Sequence, residues 1–171
     1  DEEFKSIGVK SWIYEIGLPD NLPTVSSNRF AVVSEALDAY LNKGTLPAAS
    51  SSDNWTTHEW LHFINSRPET ITKEQLAELD AAYGFTASGN SEISAAWFQP
   101  TIAAGYEAVY PKVESFLISV GRRKFLTPTY KAMLDAGQAE MANNIYAKAR
   151  PNYHAVSRET LDALLEVDKK T

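Results

Sequence analysis

The chain has 171 residues, 44% of them hydrophobic and 22% charged, a net charge of −6 and no cysteine, which at ~150 residues per domain is one domain with a core of its own. The missing cysteine excludes disulfides, thiolate zinc sites and thiol nucleophiles. A balance of 16 Lys+Arg against 22 Asp+Glu argues against a nucleic-acid partner, and no stretch nears the ~18 apolar residues of a membrane span.

Residues 1–27 read as an irregular lead-in that packs on the domain. The acidic start Asp1-Glu2-Glu3 is not a signal peptide. Trp12 and Tyr14 alternate with other residues, and Gly17, Pro19, Asn21 and Pro23 punctuate a loop. From residue 28 to 171 the apolar period is helical. Ser27 or Asn28 caps a helix carrying Phe30, Val33, Leu37, Tyr40 and Leu41, which Gly44 and Pro47 end. Residues 48–54 read as a small-residue loop. Thr56 with Glu59 makes a capping box, and Pro68 closes that helix. Thr72 with Gln75 makes a second box, opening a helix through Leu76, Leu79 and Tyr83 with Gly84 just past its end. Asn90 or Ser91 starts the next, through Ile93, Trp97 and Ile102, with a kink expected at Pro100. A helix bearing Val109, Val113, Phe116, Leu117 and Val120 has Pro111 in its first turn and Gly121 at its end. Thr127-Pro128 reads as a cap followed by proline at the first helical position, with Met133 and Leu134 beyond. Met141, Ile145 and Tyr146 mark a helix that Pro151 stops, and Ser157 is expected to cap the last, with Leu161, Leu164 and Leu165 inward.

The pattern predicts an all-α fold of about eight to nine helices. Short links favour antiparallel neighbours, hence a two-layer stack of helical hairpins. No fixed sequence period exists, so any solenoid is a degenerate one.

His58-Glu59-Trp60-Leu61-His62 matches H-E-x-x-H, in which two histidines one helical turn apart hold zinc and the glutamate acts as general base. Three features argue that the match is coincidental. The distal glutamate of a gluzincin would fall where Ala81 and Ala82 stand, and the glycine and third histidine of a metzincin where Asn65 and Pro68 stand. At ~100° per residue, Trp60, Leu61 and Ile64 share one face while His58 and His62 lie on the polar one. His58 also falls in a first turn, where the helix dipole disfavours a cation. The two histidines therefore read as surface residues, and His154 is remote in sequence.

One basic cluster stands out in this acidic chain: Gly121-Arg122-Arg123-Lys124-Phe125. Cations after a helix end offset the negative pole of its dipole. The functional alternative is carboxylate recognition, for which arginine offers a planar fork of donors.

Four segments, in this order, carry a resemblance that extends from about residue 7 to 167. They are Trp12-Ile13-Tyr14-Glu15 with Gly17-Leu18-Pro19; Asn90-Ser91-Glu92-Ile93 with Trp97; Gly121-Arg122-Arg123-Lys124-Phe125-Leu126-Thr127-Pro128; and Tyr153-His154-Ala155-Val156. They resemble the C-terminal helical domain of the leukotriene A4 hydrolase and bacterial zinc aminopeptidase family of gluzincins. The resemblance implies an armadillo- or HEAT-like right-handed α-α superhelix. It implies a parent enzyme that removes N-terminal residues from short peptides, with zinc and its ligands in a catalytic domain outside this chain. The chain itself would then hold no cofactor and be inactive alone, with Asp1 an internal boundary. Its partners would be the catalytic and N-terminal domains and short peptides. The segment His58 to His62 would not be a metal site. Arg122 would bind the carboxylate at the substrate's far end, Lys124 would support it, and Arg123 would point elsewhere. Leukotriene-processing members carry arginines where Ser94 and Ala95 stand here, so peptidase rather than epoxide hydrolase activity is expected. The competing readings are a stand-alone helical-repeat module that binds a protein partner, and a small metalloprotease built on His58, Glu59 and His62.

Overall fold

A computed structural model describes residues 2–22 and 27–167. Within them the regular structure is eleven α-helices and three single 3₁₀ turns, with no strand. The expected all-helical fold is what the chain adopts.

The lead-in departs from expectation. It forms two short helices, α1 (Glu2–Ser6) and α2 (Val9–Tyr14), joined at Gly8 with φ 70°. Local bonds hold it: Ser11 Oγ donates to the Gly8 carbonyl at 2.8 Å, and Asn21 Nδ2 to the Ile7 carbonyl at 2.7 Å. Phe4, Ile7, Trp12, Ile13, Tyr14, Ile16, Leu18 and Leu22 are all exposed. The alternation of Trp12 and Tyr14 hid the helix because neither residue contributes to a buried face.

The body follows. α3 (Arg29–Lys43) buries Val33, Leu37 and Tyr40 and ends at Gly44, whose φ of 67° suits glycine. Its first apolar residue, Phe30, is exposed and lies against the His62 ring at 4.8 Å. The expected loop at 48–54 contains one helical turn, α4 (Ala49–Ser52). α5 (Thr57–Asn65) and α6 (Lys73–Tyr83) both open on the expected capping boxes. α7 (Ser91–Ala103) is the central helix. It buries Ala95, Trp97, Phe98 and Ile102 and runs through Pro100. α8 (Tyr110–Ser119) has proline in its first turn. α9 (Arg123–Asp135), α10 (Ala139–Ala149) and α11 (Ala155–Leu164) complete the chain. α1, α2 and α4, which bring the described helices above the expected eight to nine, are all short.

Two helix starts correct the sequence reading. α9 begins at Arg123, and Thr127-Pro128 lies inside it. The Arg122 carbonyl accepts from the amides of Phe125 at 2.9 Å and Leu126 at 3.2 Å, which starts the helix early. This places Phe125 and Leu126 in the core, and their burial offsets the one backbone bond that Pro128 cannot make. α11 is capped by His154, whose Nδ1 accepts from the Val156 amide at 3.3 Å. Ser157 sits one turn in, and its Oγ donates to the Gly121 carbonyl at 3.2 Å.

Packing sorts the helices into layers. α3, α5, α7, α9 and α11 lie side by side in that order, while α8 packs on α10 and α10 on α9. Helices two apart in sequence are neighbours, as a stack of antiparallel hairpins requires. The starts of α8 and α10 meet at one rim, where Gln138 donates to the Tyr110 hydroxyl. The starts of the first layer meet at another. Tyr153 seals the layers by donating to the Leu117 carbonyl and lying 3.3 Å, oxygen to oxygen, from Tyr130.

Candidate functional site

The rim where the first-layer helices begin is stitched by side chains from one helix start to the next. Arg29, the first residue of α3, donates to both Glu59 oxygens at 2.8 Å. Asn90, the cap of α7, donates to Thr57 Oγ1 at the start of α5 at 2.9 Å. Lys124, in the first turn of α9, donates to both oxygens of Glu92 in the first turn of α7, at 2.7 Å each. Ser157 of α11 reaches Gly121, just before α9. Parallel helices thus bring their positive poles to one edge.

The basic cluster sits on that edge. Arg122 caps α9 and Lys124 lies in its first turn. Reading these cations as a remedy for the end of α8 therefore covers only half of their surroundings. They also crowd the positive pole of α9, where each costs ~0.3–1 kcal/mol, and that first turn has no acid of its own. Glu92 supplies the missing charge. Besides its Lys124 contact, its Oε1 lies 3.8 Å from Arg122 Nη1. Both cations stand over the Phe125 ring, at 5.4 Å for Arg122 and 5.5 Å for Lys124. Side-chain exposure is 65% for Arg122, 57% for Lys124 and 32% for Glu92. The cluster is open to a ligand, and its chemistry is that of anion recognition by a planar fork beside a point charge. Arg123 is exposed and shares neither contact.

Glu92 was legible only as part of a resembling segment. Its place after the Asn90 cap, whose Oδ1 accepts from the Glu92 amide at 3.0 Å, could be read from the sequence. Its neighbour on α9 could not, because no spacing rule says which helices lie side by side.

The H-E-x-x-H segment has other partners. Glu59 is buried and part of the α5 capping box. The Arg29 guanidinium first, then the Thr56 amide, hold its carboxyl down at about 2. His62 Nε2 lies 2.9 Å from Ser34 Oγ, and its Nδ1 lies 3.4 Å from Ser66 Oγ. His58 is exposed. Among the described residues no three metal-donor side chains converge.

A family model described as leukotriene A4 hydrolase, C-terminal, matches residues 55–165. The chain belongs to this family. A leucine aminopeptidase 2 of Neurospora crassa is 28% identical over 98% of this chain and 25% of its own length. A leukotriene A-4 hydrolase homolog of Botryotinia fuckeliana is 24% identical over 92% of the chain and 25% of its own. The chain spans about a quarter of the length of these relatives. Yeast LTA4 hydrolase has the same fold, with a TM-score of 0.71 at 17% identity over 97% of this chain and 30% of that one. The Arg122 cluster and the H-E-x-x-H segment both lie within the matched family region.

Proposed function

We propose that this chain is the C-terminal helical domain of a zinc-dependent aminopeptidase acting on short peptides, and that Arg122 and Lys124 anchor the peptide's C-terminal carboxylate. One observation carries the anchoring role. Two exposed cations share an aromatic platform at a rim of helix N-termini, and both already face a carboxylate, that of Glu92. An isolated helix start gains nothing from such a cluster; a bound anion does. The chain's residues bind and orient. A cation fixed at the closed end of a cleft sets how far a peptide's other end can reach, so short peptides with a free carboxylate are favoured. Zinc, if the parent follows its relatives, belongs to a part of the protein outside this chain. Glu59 and His62 do not suit it, since both are engaged with protein partners.

The exposed apolar residues of the lead-in support the domain reading over a stand-alone binding module. Eight large apolar side chains in residues 4–22 lie exposed, more than an isolated surface ordinarily carries in one stretch. In a protein of the relatives' size, the remaining parts would cover them.

The test is kinetic and uses the complete enzyme. Arg122→Ala is expected to lower kcat/KM for tripeptides about 10- to 100-fold, the worth of one charge-assisted bond of ~1.5–3 kcal/mol. It should barely affect a chromogenic amino-acid anilide, which has no carboxylate to anchor. Equal losses on both substrates would overturn the anchoring role.

A further inference from the structure

The anchoring cations are not vacant. Lys124 gives two of its three N–H donors to Glu92, and Arg122 leans toward the same carboxylate. Glu92 is held in place from behind, because the Asn90 cap fixes its amide at the start of α7. Its carboxylate therefore faces the donors that a ligand carboxylate would need.

We propose that Glu92 is a positioning residue that acts as a built-in competitor, occupying Lys124 in the absence of peptide and setting the affinity for the peptide carboxylate. The inference rests on the anchoring role proposed above. The local balance is three cations, Arg122, Arg123 and Lys124, against one acid. A peptide carboxylate bound to Arg122 sits close to the Glu92 charge and is repelled by it, while Lys124 is shared between the two acids. Glu92 thus weakens binding, and it does so only for ligands with a negative terminus. This keeps Lys124 oriented over Phe125 between turnovers, and it lets a shortened peptide leave.

Two versions of one tripeptide, the free acid and the C-terminal amide, make the test in the complete enzyme. Glu92→Gln keeps the side-chain shape and removes its charge. It is expected to increase the preference for the free acid, measured as the ratio of kcat/KM values, by about three- to fivefold, the range of an exposed ion pair, through a lower KM for the free acid. The increase should shrink when Lys124→Met is present as well, since competition for Lys124 is then gone and only the repulsion beside Arg122 remains. A purely structural Glu92 would move both peptides alike. Glu92→Ala, which also abolishes the contact, should shift the preference in the same direction. An unchanged or reduced preference in Glu92→Gln overturns the inference. Arg122→Ala, run in parallel, separates the two ideas. If it lowers the free-acid preference while Glu92→Gln leaves it unmoved, only the competitor role fails; if it leaves the preference intact, the anchoring role fails and the inference with it.

Discussion

Glu59 holds three hydrogen bonds on its Oε2 alone: from the Arg29 guanidinium, the Thr56 amide and the Thr56 hydroxyl, each at 2.8 Å. These bonds stabilise the ionised form, so its carboxyl falls from 4.5 to about 2 on folding. A lowered folded value means stability that is complete above the unfolded value and is lost as pH falls through the folded one. Thermal unfolding of Glu59→Gln should show a reduced melting temperature at pH 6, with the gap to the parent closing between pH 4.5 and pH 2. A gap that stays constant with pH would mean that the bonds to Arg29 and Thr56 do not favour the charged form. The same residue explains how a catalytic-looking motif becomes structural. The residue types of H-E-x-x-H were present, and helical phase set His58 apart from the core. That Glu59 would be clamped by an arginine 30 residues earlier required α3 and α5 to be neighbours.

Elements were legible where their signals are local. Both capping boxes and the glycine ends of α3 and α6 follow from side chains acting within one turn. Thr72→Ala should cost about 0.5–2 kcal/mol in chemical denaturation, since Thr72 Oγ1 accepts from the Gln75 amide at 3.2 Å. α9 was misplaced because Thr-Pro is only a preference. Proline keeps a helical φ, so it is tolerated wherever core burial outweighs one missing bond. The early start has a consequence for charge. Arg123 is the first residue of α9, exposed and beside the helix's positive pole. Arg123→Glu should raise stability by about 0.3–1 kcal/mol in the same assay. A loss would show that Arg123 has a stabilising role that its surroundings do not suggest.

At the scale of the molecule, the exposed apolar lead-in governs solution behaviour. Residues 2–22 bury none of their large apolar side chains, so the isolated chain should self-associate at micromolar concentration. Sedimentation velocity of the chain lacking residues 1–22 should then show a monomer. Association that survives the deletion would place the sticky surface elsewhere. Within the body, Trp97, Phe98, Leu126, Tyr130 and Met133 are fully buried.

What the sequence by itself determined is whatever depends on neighbours along the chain. The helical period, the caps, the all-α class and the segments that carry the family likeness are all read within a turn or two. Tertiary structure decided which helix starts share a rim. Glu92 precedes Arg122 and Lys124 by about thirty residues, and nothing in that interval encodes their meeting. It follows from α7 and α9 packing side by side with their first turns at the same rim, which the buried faces of every helix in the layer settle together. The basic cluster was visible as a run of letters. Only packing gave it a carboxylate and a rim of helix poles.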